Sequence, residues 1–297
     1  MSLNRDRIKL AAHEAGFDIC GVTPGGAVEA WLRDAFTDRL ERGCYGTMSW
    51  LSRYTDMRFD TSLLMPGART VIMCAKSYPL YSGGSLVASY AMREDYHRAV
   101  RGMLDKLCAS LRSEGDYALR PFVDSAPVAE RYWAVRAGLG VCGRSGMLIN
   151  PEFGGALMIG GVLVDAICDG ADTPLHYDPC GGCRRCVDAC PTGAICGDGG
   201  MDASKCRSYL TIEHRGEFTS WQCDALRCTP TVFGCDICLR VCPHNRTVAE
   251  PVPGRFALTA RQWFEMGTNR FRKSYGDTPM SRITVSMLRR NAGVLLR

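Results

Sequence analysis

The chain has 297 residues, 46% hydrophobic and 23% charged, a globular composition that excludes a disordered or fibrous polymer. The formal charge is +5, and the length predicts two domains. The longest uncharged apolar stretch, residues 153–164, is 12 residues long and too short to span a bilayer, so no membrane partner is expected. The opening MSLNRDRIKL has no apolar core, so no export signal and a cytoplasmic, reducing location are expected.

In chain order, residues 3–15 read as a helix through Leu3, Ile8, Leu10, Ala11 and Ala12, stopped by Gly16, and residues 17–22 as a strand. Residues 28–41 read as a second helix. After the Pro66-Gly67 turn, 68–75 reads as a buried strand. Residues 94–114 predict a helix with Val100, Met103, Leu104, Leu107 and Leu111 on one face. Residues 121–124 are strand-like. A helix over 128–137 then follows, with Ser125 or its neighbour as cap and Pro127 in the first turn. Residues 147–150 and 156–164 are apolar and strand-length. This alternation predicts an α/β or α+β domain over 1–170. Gly138, Gly140 and Gly143 match G-x-G-x-x-G, but they follow a helix and lead toward a strand, the reverse of a dinucleotide site. The glycines predict a sharp turn or close approach instead.

Seventeen cysteines dominate the chemistry. An odd count leaves one thiol over from any disulfide framework, and in a reducing compartment clustered cysteines hold metal or do redox work. Cys180, Cys183, Cys186 and Cys190, followed by Pro191, form the C-x2-C-x2-C-x3-C-P run of two-cluster ferredoxins. Cys235, Cys238 and Cys242, followed by Pro243 and preceded by Cys206, form a second set. Eight thiolates suit two [4Fe–4S] cubes, and the last cysteine of such a run ligates the other cube. The expected ligand sets are therefore Cys180, Cys183, Cys186 and Cys242 for one, and Cys190, Cys206, Cys235 and Cys238 for the other. Zinc is the competing reading, but a zinc site needs two pairs and not this four-cysteine run. Of the nine remaining cysteines (20, 44, 74, 108, 142, 168, 196, 223 and 228), most are expected to be small core residues. Cys223 and Cys228 are a further candidate pair.

Residues 171–250 are rich in Cys, Gly and Asp and predict a ferredoxin-like segment in which the cubes replace an apolar core. Residues 255–297 carry nine Arg and Lys against Glu265 and Asp277, a net +7 that leaves the rest at −2. That concentration suits a polyanion such as RNA, or a solvated helical face.

The ordered motifs Tyr90 to His97, Val123 to Arg131, Ala137 to Pro151, Cys206 to Glu213, Phe233 to Asp236 and Arg290 to Ala292 together resemble the epoxyqueuosine reductase family over nearly the whole chain. The resemblance implies an oxidoreductase that uses cobalamin and two [4Fe–4S] clusters to reduce epoxyqueuosine to queuosine at the wobble position of tRNA. It implies an α+β fold: a cobalamin-binding catalytic domain over 1–170, related to reductive dehalogenases and nitroreductase-like folds; a double-cluster domain over 171–250; and a basic segment over 251–297 that packs on the core and contacts tRNA. It implies Asp124 as the proton donor and cofactor neighbour, with Tyr96 and His97 lining the substrate site. A carboxyl acting as an acid at neutral pH needs a raised pKa, and the apolar Phe122-Val123 ahead of Asp124 suggests burial; a helix cap is the plainer role.

Cofactor contacts are expected from Arg131, Arg144, Leu148, Ser208, Glu213 and Asp236, the two arginines through phosphate. RNA contacts are expected from Arg270, Arg272, Lys273, Arg282, Arg289 and Arg290. An external low-potential electron donor and a monomeric state complete the expectation. The chain departs from the family pattern at Glu94, Val141, Arg144 and Ser145, positions expected on cofactor and substrate walls, and it ends where some members add helical repeats. Alternatives are a dehalogenase-like cobalamin reductase of a small molecule and a plain two-cluster electron carrier.

Overall fold

The computed structural model describes residues 3–82, 85–245 and 250–297. Helix α1 (Arg5–Ala15) is stopped by Gly16, whose φ of +111° is the left-handed stop that glycine adopts freely. Strand β1 (Ile19–Pro24) follows, then helices α2 (Ala30–Glu41), α3 (Thr55–Phe59) and α4 (Thr61–Leu64). Strands β2 (Thr70–Ser77) and β3 (Tyr81–Ser82) lead to the long helix α5 (Tyr96–Glu114). Strand β4 (Leu119–Phe122), helix α6 (Glu130–Arg136), the hairpin of β5 (Val141–Cys142) and β6 (Leu148–Ile149), and strand β7 (Leu157–Val164) complete this half.

Strands β1, β2, β7 and β4 form one sheet in that order, and every neighbouring pair is antiparallel. The sheet therefore takes the α+β form of the two sequence alternatives. Alternation along β2 sorts its side chains between two cores. Ile72 and Cys74 pack with α1 and α5 through Ile8, Ala12, Val100, Leu104 and Leu111. Val71, Met73 and Ala75 pack on the opposite face with Trp133, Ala134 and Leu139, around α6. Both faces are covered, which explains why β2 reads as a continuous apolar run.

Several boundaries differ from the sequence expectation; β2, for one, runs over Thr70–Ser77 rather than 68–75. The first strand starts at Ile19, two residues late, because Phe17 turns into the α1 core. The helix expected from 128 starts at Glu130, and its N-cap residue, Ala129, offers no side-chain bond. Ser125 does not cap it; its hydroxyl donates to the Val123 carbonyl at 3.2 Å.

The cysteine-rich half contains helices α7 (Arg185–Asp188), α8 (Arg207–Ile212), α9 (Ser220–Arg227) and α10 (Ile237–Arg240). Helix α7 buries no side chain and α10 buries only Leu239, whereas α8 and α9 share an apolar cluster of Tyr209, Leu210, Ala225 and Leu226. Residues 246–249, at the end of the expected cluster segment, lie outside the described residues. Strand β8 (Glu250–Pro251) pairs in parallel with β3, and helices α11 (Ala260–Phe264), α12 (Thr268–Tyr275) and α13 (Val285–Val294) close the chain. Their Trp263, Phe271, Tyr275 and Leu288 form a third core with Val87, Met92 and Phe233. The Asp95 amide donates to the Asp277 carbonyl at 2.8 Å, which ties this tail to the start of α5. No described helix is long and apolar enough to cross a membrane.

Candidate active site and cluster segment

Helix α5 begins at Tyr96 because Asp95 caps it. The Asp95 carboxylate accepts the His97 amide at 3.0 Å and lies 2.7 Å from His97 Nδ1. Tyr96 and His97 are thus fixed in the first turn. Beyond β4 the chain turns at Asp124, whose φ of +52° is a left-handed conformation that costs a non-glycine residue ~1–2 kcal/mol. The turn aims Asp124 at α5. Tyr96 donates its hydroxyl to Asp124 Oδ2 at 2.5 Å, and His97 Nε2 lies 3.2 Å from the same oxygen. Glu130 Oε1 accepts the Asp124 amide at 2.6 Å and holds the turn from behind. Helix and strand come this close because β7 carries two glycines: a Cβ on Gly161 would lie 2.5 Å from Phe122 Cζ, and one on Gly160 2.8 Å from Val100 Cγ1.

The Asp124 carboxylate is therefore bonded to α5 and is not the cap of α6. Its pKa also departs from the sequence expectation. The hydrogen bond from His97 holds it below the usual carboxylate value, against burial, with Tyr96 and the charges of His97 and Arg282 adding to the effect. Its side chain is 58% exposed, so the apolar residues ahead of it do not enclose it. The raised carboxyl is Glu130, which burial first and the Asp124 charge second push up to about 8. His97 is raised by its bond to Asp124, with Asp95 adding. Tyr96 is raised by burial and then by Asp124, so its hydroxyl keeps its proton. At neutral pH the cluster keeps protons on Tyr96 and Glu130 and a negative charge on Asp124, with His97 biased toward its protonated form. Such a split between neighbouring groups marks acid–base chemistry.

Cys180, Cys183, Cys186 and Cys242 line one solvent-open pocket, together with Arg144, Ile149, Pro179 and His244. Cys206, Cys235 and Cys238 form a second neighbourhood: burial pushes the Cys238 thiol up to about 12, with Cys235 and Cys206 as the next causes. The Cys190 Sγ lies 3.7 Å from the Thr192 hydroxyl. Among the described residues no three His, Cys, Asp or Glu gather around one point as ligands of a single ion would. Outside the two sets, Cys44, Cys74 and Cys108 are buried, Cys20, Cys168 and Cys223 half-buried, and Cys142, Cys196 and Cys228 exposed, so only a minority of the nine are core residues, where most were expected. Cys223 and Cys228 are both free; Cys228 instead donates to the Ala225 carbonyl at 3.2 Å.

Several expected contact residues are occupied by the fold itself. Leu148 is a core side chain, 3% exposed. Arg131 donates to the Gly146 carbonyl. Arg144 donates its amide to Cys180 Sγ at 3.3 Å and its guanidinium to the Gly197 and Gly181 carbonyls, so it fastens cluster loops and is not a free phosphate ligand. Ser145 is buried, Val141 is half-buried in β5, and Glu94 is exposed just before the α5 cap. Asp236, also buried, accepts the Ser89 amide at 2.6 Å and pairs with Arg240 at 3.5 Å. Ser208 is half-buried in α8. Glu213 pairs with Arg282 through two contacts of 3.1 and 3.2 Å, and the Arg282 charge is felt at Asp124.

The tail arginines divide in the same way. Arg270, Arg272 and Lys273 are exposed on α12. Arg289 donates to the Met266 carbonyl. Arg290 donates to the carbonyls of Leu210, His214 and Gly216 and stacks 4.0 Å over the Phe218 ring, so it is a structural tie and not a free RNA contact. The charge count alone could not separate these groups.

Two site residues had no role in the sequence reading. Glu130 stands in the Val123 to Arg131 motif, but its bond to the Asp124 amide depends on the turn. Tyr90, raised mainly by burial, also feels Asp236, Asp124, Glu213 and Cys206, so it stands between the acid cluster and the second cysteine neighbourhood. Its ring packs edge-on against Tyr96, with centroids 6.2 Å apart.

Comparisons with known proteins agree with this geometry. A family model described as a 4Fe-4S double cluster binding domain matches residues 179–245, and one described as epoxyqueuosine reductase QueG matches 58–125. The epoxyqueuosine reductase of Cyclobacterium marinum is 35% identical over 96% of this chain and 94% of its own. The epoxyqueuosine reductase structure from Streptococcus thermophilus is 26% identical with a TM-score of 0.88, covering 98% of this chain and 80% of that one. A structure of epoxyqueuosine reductase with an epoxyqueuosine-modified tRNA-Tyr stem loop is 26% identical with a TM-score of 0.89 and the same coverage.

Proposed function

This chain belongs to the epoxyqueuosine reductase family, and we propose that it reduces epoxyqueuosine to queuosine at the wobble position of tRNA, using two [4Fe–4S] clusters and cobalamin. Removing an epoxide oxygen as water and leaving an alkene consumes two electrons and two protons. Bound cobalamin supplies a strongly reducing cobalt centre, and the cubes deliver electrons one at a time.

The protein's part is to hold those groups and manage the protons. Cys180, Cys183, Cys186 and Cys242 would ligate one cube, and Cys190, Cys206, Cys235 and Cys238 the other. The shared pocket of the first four supports this partition, as does the mutual influence of Cys206, Cys235 and Cys238. Cobalamin would lie in the region that Tyr90 borders, between the second cysteine set and Asp124. Ser208, Glu213 and Tyr90 would meet its polar periphery there. Asp124, ionised at rest, relays to the departing oxygen a proton that His97, bonded to the same carboxylate oxygen, supplies. Tyr96 orients that carboxylate. The exposed Arg270, Arg272 and Lys273 meet the phosphates of the anticodon loop, whose unpaired bases are open to recognition. The enzyme works as a monomer in the cytoplasm with an external low-potential electron donor.

The observation that carries this reading is the Asp124–His97–Tyr96 proton cluster, reached through Tyr90 from the second set of cysteines, in a chain of this family. The test is turnover. Protein loaded with iron, sulfide and cobalamin, given a strong reductant and an epoxyqueuosine-bearing stem loop, should release queuosine-bearing RNA. Fully loaded protein that leaves the stem loop unchanged contradicts it.

A further inference from the structure

Arg207 opens helix α8 immediately after Cys206, and it is 2% exposed. Its Nε and Nη2 are both buried without a hydrogen-bond partner. The residue takes part in no ion pair among the described residues. In this half Arg290 is paired by carbonyls and Arg240 by Asp236, and Arg144 outside it, whose Nε is also unpartnered, still gives both of its Nη groups to carbonyls. A guanidinium keeps its charge at any physiological pH, and burying it unpaired costs several kcal/mol. A chain that retains such a group must place a negative partner beside it.

The surroundings identify that partner. Arg207 adjoins Cys206 in the chain, and its guanidinium is close enough to act on the half-buried Cys235, whose thiol is nonetheless raised overall by burial. We propose that Arg207 is the built-in counter-charge of the cube held by Cys190, Cys206, Cys235 and Cys238, that its unpartnered N–H groups face the sulfurs of that cube, and that it raises the cube's reduction potential. The inference rests on the cluster assignment above. One-electron reduction breaks no bond and makes the thiolate-bound cube more negative by one charge. A fixed cation in a low-dielectric site stabilises the reduced form more than the oxidised one. Electrons arriving from the donor are therefore drawn to this cube, which lies on the Tyr90 side, toward Asp124.

The test is an EPR-monitored redox titration of the full reconstituted chain, with iron counted in parallel, for the native protein, Arg207→Gln and Arg207→Lys. The native protein should show two cubane signals. Arg207→Gln should move one midpoint to lower potential and leave the other in place, and Arg207→Lys should move it less. Should Arg207→Gln lose one cube, Arg207→Lys should restore it, and failure of the lysine variant to do so overturns the counter-charge role. Two cubane signals with both midpoints unchanged in Arg207→Gln overturn the inference and leave the cluster assignment standing. A native protein without two cubane signals overturns the assignment itself.

Discussion

Asp124 and Glu130 are two carboxyls joined through one backbone amide and driven in opposite directions. The Asp124 N–H donates to Glu130 Oε1 at 2.6 Å, Asp124 is held below its ordinary range, and Glu130 rises to about 8. The exposed carboxyl is ready to exchange a proton with substrate, and the buried one holds its loop in a strained turn.

The raised Glu130 carries a stability signature. Between its ordinary value of 4.5 and about 8 the folded chain holds a proton that the unfolded chain has lost. This contribution is complete below 4.5 and disappears as pH rises through 8. Glu130→Gln keeps the acceptor for the Asp124 amide and removes the titration. Its melting temperature should fall less than that of the native protein from pH 5 to pH 8, measured on the cofactor-free chain. Parallel curves refute the assignment.

His97 should shape the alkaline limb of the rate profile. Its folded pKa is raised above 6.5, so the imidazolium is populated below that folded value and lost as pH rises through it. Replacing it with Asn should cut turnover by ~10²-fold and remove that limb, while substrate binding stays near native. A profile with an unaltered alkaline limb excludes His97 as the proton store.

Metal content should separate the two cysteine sets. Cys180→Ser and Cys235→Ser should each remove roughly half of the iron, and the double variant nearly all of it. Loss of all the iron from either single variant would show that the cubes do not load independently.

The tail arginines should fall into two classes. Reversing charge at Arg270, Arg272 and Lys273 should weaken stem-loop binding and flatten its salt dependence by about 0.7 to 0.9 per lost phosphate contact, at unchanged melting temperature. Reversing Arg290 should lower the melting temperature, because three carbonyls lose their donor. Unchanged RNA affinity at several salt concentrations in the α12 variant removes that face from the interface.

The double-cluster segment and the main helices could be read from the sequence because their signals are local. Ligand spacing is set by one loop, and the α5 stripe from Val100 to Leu111 is one helical face. The electrostatics of Asp124 could not be read that way. Its partners Tyr96 and His97 lie 28 and 27 residues back and meet it only because Gly160 and Gly161 let α5 close on the sheet. The apolar Phe122-Val123 pair suggested an enclosed, raised carboxyl, and the strained turn carries Asp124 out of that core to the mouth of the site. Tail basicity was visible as a count, but which arginine faces solvent depends on carbonyls at or just past the ends of α8 and α11. The exposed Cys142 and Cys196 show the same limit, since apolar neighbours in sequence do not fix which way a side chain faces in a short strand such as β5 or in a loop.

The central claim is that this chain removes the epoxide oxygen of a tRNA-borne base with a proton delivered through Asp124. The most direct measurement compares native protein with Asp124→Asn, both carrying eight irons and cobalamin, in a single-turnover assay on an epoxyqueuosine stem loop read by mass spectrometry. The account predicts loss of one oxygen atom by the native protein and a rate at least ~10²-fold lower for the variant, with stem-loop affinity retained. Equal rates for the two proteins would contradict it.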